Sequence, residues 1–250
     1  TAERWGYGTV HLDYDFTGHA ATVTDRRGNA THYTLDSAGH ATHIEDPAHA
    51  ITTLTYDEEG LVTESKAPLG RTVAYVYDTV GGRRARGNAI RTMLTPDGRG
   101  ANGSAASLSS AVEYEPTTNQ PIRAVDPRGV VTTIERDAAG LAVRTVEAAG
   151  TPEASTTAVA YNAFGQPVAI TNPNGHQETF EYFETGPSRG YLHARVLDPG
   201  GLGLTTRFET DERGNVTATI DARGVRSTRE LNEVDWVVAT TEAASASQDG

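Results

Sequence analysis

The chain has 250 residues, 33 acidic against 21 basic, and a formal net charge of −12. That balance repels a phosphate backbone, so nucleic acid is not an expected partner, and the absence of cysteine removes disulfides, thiol catalysis and thiolate metal sites together. A hydrophobic fraction of 37% with a mean hydropathy of −0.46 is low for a sphere that must bury a core, yet sufficient for a thin sheet wetted on both faces. No apolar run reaches the length of a membrane span, and Lys66 is the only lysine among the basic residues. Thr1-Ala2-Glu3-Arg4 carries neither an initiating Met nor a signal peptide, so the sequence is expected to be a segment of something longer.

Taken in chain order, the predicted elements repeat. Asp15-Phe16-Thr17-Gly18, Asp36-Ser37-Ala38-Gly39 and Asp57-Glu58-Glu59-Gly60 stand in a 21-residue register, and Asp78 opens the next unit on time. The register resumes at Glu115, Asp137-Ala138-Ala139-Gly140, Asn162-Ala163-Phe164-Gly165 and Asp211-Glu212-Arg213-Gly214, with Asn232 following. Ten residues after each first turn comes a second, as in Gly18 to Gly28, Gly60 to Gly70, Gly140 to Gly150 and Asn119 to Gly129. Several second turns read Asp-Pro or Asn-Pro: Asp46-Pro47, Asp126-Pro127-Arg128-Gly129, Asn172-Pro173-Asn174-Gly175 and Asp198-Pro199-Gly200. Proline presets φ, the Asx side chain caps the backbone behind it, and glycine takes the left-handed exit.

Two turns per unit leave about six residues for each strand, a usual strand length. The intervening segments alternate accordingly: Thr31, Tyr33, Leu35; Thr52, Leu54, Tyr56; Val73, Tyr75, Tyr77; Thr132, Ile134, Arg136. No segment carries a helical apolar stripe. The expectation is an all-β antiparallel meander of strand-turn-strand repeats, a single array over residues 1–250 of about ten units. The period breaks near 79–114 and near 183–210, which are expected to be insertions. Aligned units place Tyr33, Leu54, Tyr75, Ile134 and Phe180 in one column and Leu35, Tyr56, Tyr77, Tyr182 and Leu231 in a second, expected to form cross-strand ladders.

An array of Tyr-Asp-x-x-Gly units of this period resembles the YD-repeat, or Rhs-repeat, family, which includes Rhs polymorphic toxins, shell subunits of Tc insecticidal toxins and the teneurins. The motif stands here as Leu35-Asp36-Ser37-Ala38-Gly39, Tyr56-Asp57-Glu58-Glu59-Gly60, Tyr77-Asp78 and Tyr161-Asn162-Ala163-Phe164-Gly165, extending through Asp126-Pro127-Arg128-Gly129-Val130-Val131-Thr132-Thr133-Ile134. The resemblance covers roughly residues 11–240. It implies a sheet that spirals into a hollow shell, which in bacterial members encloses a toxic C-terminal domain. The turn and ladder residues expected to carry that architecture are Asp15, Gly18, Tyr33, Asp36, Gly39, Tyr56, Asp57, Gly60, Tyr77, Asp78, Gly129, Asp137, Gly140, Gly165, Asp211 and Gly214.

No set of residues forms a recognisable active site. The family closes its shell with a self-cleaving Asp-Pro-x-Gly region, and Asp198-Pro199-Gly200-Gly201 invites the comparison; its position within the repeats reads as one more turn. His32, His40, His43 and His49 lie close in sequence, but His40 and His43 would face opposite sides of one strand, and exposed strand histidines are the better reading. The turn aspartates Asp25, Asp46, Asp126 and Asp221 read as Asx caps rather than calcium ligands. Glycosylation sequons occur at Asn29-Ala30-Thr31, Asn102-Gly103-Ser104 and Asn215-Val216-Thr217. There is no nucleophile elbow, phosphate loop or His-Glu-x-x-His.

The expected function is therefore a non-catalytic structural segment of a shell, with no cofactor and no metal, secreted or cell-surface as part of a larger bacterial protein. Its expected partner is the enclosed toxin domain of the same polypeptide, with secretion-system or receptor-binding subunits beside it. It is expected not to insert into a membrane. The alternatives are an extracellular adhesion scaffold binding carbohydrate or protein and, more weakly, an autoproteolytic segment acting through Asp198.

Overall fold

The computed structural model describes residues 2–5, 8–97 and 106–242. The sequon at Asn102 lies outside the described residues, as do residues 98–105 of the first break in the period. The described residues form only strands, turns and bends, with no helix among them. The chain divides into two compact units, residues 1–131 and 132–250.

The first unit holds β1 (Ala2–Trp5), β2 (Gly8–Asp15), β3 (Ala20–Thr24), β4 (Ala30–Leu35), β5 (Ala41–Glu45), β6 (Ile51–Tyr56), β7 (Val62–Lys66), β8 (Thr72–Tyr77), β9 (Ala89–Thr95), β10 (Leu108–Tyr114) and β11 (Pro121–Val125). The second holds β12 (Val131–Arg136, save its first residue), β13 (Ala142–Glu147), β14 (Ser155–Tyr161), β15 (Pro167–Thr171), β16 (Gln177–Tyr182), β17 (Leu192–Leu197), β18 (Leu204–Thr210), β19 (Val216–Ile220), β20 (Arg226–Leu231) and β21 (Val237–Glu242). Within each unit every strand pairs antiparallel with its sequence neighbours, an uninterrupted meander. The segments outside the 21-residue period supply strands of the same meander, β9 and β10 in one and β17 and β18 in the other.

Strand alternation gives each sheet a different composition on its two faces. The register row Tyr14, Ala21, Tyr33, Ile44 and the row Leu54, Ser65, Val73, Leu94, Leu108 lie on one face. In the first unit the opposite face is rich in threonine and carries cross-strand ion pairs such as Glu113 with Arg123; in the second unit Glu135 pairs with Arg144 across β12 and β13. Among the described residues only Ala21, Ala194 and Ala218 are buried hydrophobics. The sheets are therefore stabilised chiefly by backbone ladders, half-buried side chains and turn caps.

One expectation from the sequence is corrected by the register. Tyr33 in β4 faces Ala21 and Ile44, and Leu54 in β6 faces Ser65. The aligned residues of consecutive units sit two strands apart with a strand of the other half-unit between them, so Tyr33, Leu54 and Tyr75 do not touch as a cross-strand ladder. The meander must return once per unit to keep its antiparallel sense, and that return strand occupies the neighbouring place. The stacking of Tyr75 on Tyr77, with centroids 6.3 Å apart, runs along one strand.

Most first turns are followed by a β-bulge. The pairing slips by one residue between Thr34 and Leu35, Thr55 and Tyr56, Val76 and Tyr77, and Glu113 and Tyr114 in the first unit. It slips likewise at Arg136, Tyr161, Tyr182, Thr210 and Leu231 in the second. The residue left over is Thr42, Thr63, Ile90, Ile122, Val143, Val168, His193, Thr217 or Val238, always on the strand leaving the turn. A bulge bends its strand and raises the local twist, so repetition builds curvature into each sheet at regular intervals.

Candidate functional site

The repeated chemistry lies at the turns. At Asp36 the carboxylate Oδ1 accepts the N–H groups of Ala38 (2.9 Å) and His40 (2.8 Å), while the Asp36 N–H donates to His40 O and Gly39 N–H returns to Asp36 O. Asp57, Asp137 and Asp211 repeat this five-residue turn at Glu59 and Leu61, Ala139 and Leu141, and Arg213 and Asn215. The second turns at Asp25, Asp46, Asp126, Asn172 and Asp221 are built the same way. The fourth residue of the turn must be left-handed: φ is +91° at Gly39, +81° at Gly60, +83° at Gly129, +86° at Gly140, +77° at Gly165 and +88° at Gly214. His49 and Asp235 accept that conformation without being glycine, at 63° and 61°.

Hydrogen bonding favours the charged form of Asp25, Asp36, Asp126, Asp211 and Asp221 and pulls their pKa values below the ordinary range. Asp36 is lowered first by the His40 N–H, Asp25 and Asp211 by the side chains of Asn29 and Asn215, and Asp126 and Asp221 by Arg128 and Arg223. Glu115 is held at about 2, chiefly by the backbone N–H groups of Thr118 and Thr117. Asp78 is lowered by the N–H groups of Gly81 and Val80.

The tyrosine that ends a strand just before its turn makes a second link. Tyr56 Oη donates to Ala41 O at 2.9 Å, Tyr77 to Val62 O at 2.8 Å, Tyr161 to Ala142 O at 3.0 Å and Tyr182 to Pro167 O at 2.8 Å. Each accepting carbonyl belongs to the first residue of the preceding strand. Partial burial raises the pKa of Tyr77 and Tyr182.

A third link joins turn to turn. The residue after one turn glycine packs over the glycine of the next turn on the same edge. His40 stacks on Tyr56 at 4.8 Å and lies where a Cβ on Gly60 would fall, 2.9 Å from its Nε2. Tyr191 covers Gly214 in the same manner, with ring carbons 2.4 Å from such a Cβ. Gln166 Nε2 donates to Gly190 O at 2.7 Å, and Asn88 and Asn119 exchange amide hydrogen bonds. These stapling residues were missed in the sequence. Their signal was the constant place one residue beyond the glycine, hidden because His, Leu, Gln, Asn and Tyr fill it in turn.

The other expected positions fall as follows. Asp15 caps Thr17 and Gly18, and Gly18 is not left-handed; His19 is, at 48°. Tyr33 lies within β4, away from the turn. Asp198 sits at φ 52° in the turn between β17 and β18, its Oδ2 accepting the Leu202 N–H at 3.0 Å. The histidines are dispersed: His32 bonds Thr22, His43 bonds Thr42, His49 bonds Glu45 and His40 bonds Asp36. Among the described residues no three His, Asp or Glu side chains gather as metal ligands. The sequon amides of Asn29 and Asn215 donate to Asp25 and Asp211.

A concavity lies in the second unit, a cleft of about 1320 Å³ between the Asn162–Gln166 turn and the longer turn 183–191. Phe180 and Tyr182 of β16, Val168 of β15 and His193 of β17 form its floor. Phe183 tilts against His193 with ring centroids 4.6 Å apart, and Phe164 stands 76% exposed on the rim.

No family model matches the sequence, and no curated protein matches it. Solved structures do. The crystal structure of TcdB2-TccC3-Cdc42 superposes with a TM-score of 0.68 at 15% identity, over 96% of this chain and 13% of that one. TcdB2-TccC3 without its hypervariable C-terminal region gives 0.69 at 15% identity over 94% and 12%, and TcdB2-TccC3 gives 0.69 at 14% over 97% and 14%. At such identities the likeness establishes the fold, and the chain spans about one eighth of the length of these proteins.

Proposed function

We propose that the chain is a non-catalytic wall segment of a YD-repeat shell, one array of repeats exported as part of a larger protein whose C-terminal toxin or effector domain it helps to enclose. The observation that carries this reading is the near-complete superposition on a small part of TcdB2-TccC3, in a chain with almost no buried core among its described residues. Such sheets make sense as walls. Turn carboxylates are used as backbone caps, Asp198 among them, and this accords with a structural role. The hypervariable C-terminal region of the similar protein is the kind of segment a shared wall would contain. Within residues 79–114 Met93 and Leu108 are exposed on opposite faces and Val80 on a turn, so they form no single adhesive patch.

The test is limited proteolysis of the full-length polypeptide encoded around this segment. Its C-terminal domain is expected to resist cleavage in the intact protein and to be digested when expressed alone. Equal digestion in both forms overturns the reading.

A further inference from the structure

The turn between β8 and β9 is built unlike its neighbours in the first unit. The Asp78 N–H closes it on Asn88 O at 3.0 Å across residues 79–87, whereas the turns at Asp57 and Glu115 close on Leu61 and Gln120. Arg83-Arg84-Ala85-Arg86 lies within it, and Gly82, Arg83, Arg84, Arg86 and Gly87 are exposed. The Arg83–Gly87 stretch pairs with no strand and is held by local bonds alone, from the Ala85 and Arg86 N–H groups to Gly82 O and from the Asn88 N–H to Ala85 O.

The three arginines diverge. Arg84 reaches Thr117 O at 2.7 Å on the following turn, Arg86 leans towards Glu59 at 3.9 Å on the preceding one, and Arg83 has no side-chain partner among the described residues. Guanidinium groups aimed apart make no cradle for a single anion. They suit a partner that draws the chain out and takes each side chain into a separate pocket, as proteases do.

An arginine three residues before another occurs three times, at Arg83 and Arg86, Arg223 and Arg226, and Arg226 and Arg229. The structure separates these copies. Arg226 and Arg229 lie in β20, which pairs with β19 on one side and β21 on the other, while Arg223 bonds Asp221 and Arg226 bonds Glu209. A strand paired on both edges cannot enter a protease cleft. Exposed turns without ladder bonds are where nicking concentrates.

We propose that the Arg86–Gly87 bond is a processing site for a serine protease with acidic pockets for arginine at Arg86 and Arg83. Water adds to the Arg86 carbonyl carbon and the C–N bond to Gly87 breaks, leaving a carboxylate on Arg86 and an amino terminus at Gly87. The nick does not part the pieces, because β8 and β9 stay paired from Thr72 with Thr95 to Tyr77 with Ala89 and Asn88 stays bonded to Asn119.

The experiment treats the whole chain with trace furin, an endoprotease whose pockets take arginine at both positions, and follows it by intact-mass spectrometry. The first products are expected to be residues 1–86 and 87–250, together heavier than the chain by one water and co-eluting in native size exclusion. Arg86→Gln is expected to abolish the cut and Arg83→Gln to slow it by about tenfold or more, both with thermal melting unchanged because these side chains are exposed. Arg226→Gln is expected to leave the cut as it was. No cleavage, a first cut after Arg226 or Arg229, a rate indifferent to Arg83→Gln, or pieces that separate without denaturant overturns the proposal.

Discussion

The turn at Asp15 and the turn at Asp36 share the pattern Asp-x-x-Gly in the same register, yet they differ in construction. In the first, Asp15 pairs with Ala20 across a four-residue loop, the cap reaches Thr17 and Gly18, and the left-handed residue is His19. In the second, Leu35 pairs with Ala41, the cap reaches Ala38 and His40, and the left-handed residue is Gly39. A bulge follows the second turn and not the first. The glycines accordingly serve different physical needs. Gly18 is required by space, since a Cβ there would fall 2.4 Å from Asp15 Oδ2, whereas Gly39 stands in the open and is required by φ. One letter in a repeat encodes two constraints.

The sharpest break in this comparison comes where both constraints coincide. Gly60→Val combines φ +81° with the His40 ring 2.9 Å from the new Cβ, and stability is expected to fall by about 3 kcal/mol. Gly39→Val meets only the backbone constraint and is expected to lose about 1–2 kcal/mol. Chemical denaturation of the two variants side by side checks the difference; equal losses would mean the His40 packing contributes nothing.

Gly18→Ala tests the spatial constraint alone. It is expected to displace the capping carboxylate and reduce stability by about 1 kcal/mol, the scale of a lost cap. The neighbouring His19→Gly is expected to raise stability slightly by relieving the left-handed strain at 48°. Opposite signs in thermal melting support the assignment of strain to His19, and matching losses refute it.

Tyr56→Phe removes only the hydroxyl that reaches Ala41 O and is expected to lower stability by about 1 kcal/mol. Hydrogen exchange is expected to quicken in β5 and β6, the strands that this bond joins, before it quickens elsewhere in the first unit.

The smallest expected effect is acidic. The depressed pKa of Glu115 means the folded chain binds its proton less readily than the unfolded chain, so its stabilisation is full above the ordinary Glu value of about 4.3 and fades as pH falls towards about 2. Glu115→Gln is expected to flatten that part of the acid melting profile, with the curves converging at the lowest pH.

Much of this molecule was legible without coordinates because its information is local. A turn acid, a glycine and an alternating strand act over fewer than ten residues, so strands such as Thr72–Tyr77 and caps such as Asp57 follow from spacing alone. The left-handed glycines were readable for the same reason. What lay beyond reach depended on which strand stood next to which. The columns of Tyr33, Leu54 and Tyr75 looked like neighbours in an aligned sequence, but the antiparallel return inserted a strand between them. The bulges, the Tyr56 bond to Ala41 and the packing of His40 on Gly60 all arise from that inserted strand and its one-residue slip. The cleft over Tyr182 and His193 needs two turns of different length side by side, and only register across strands decides that adjacency.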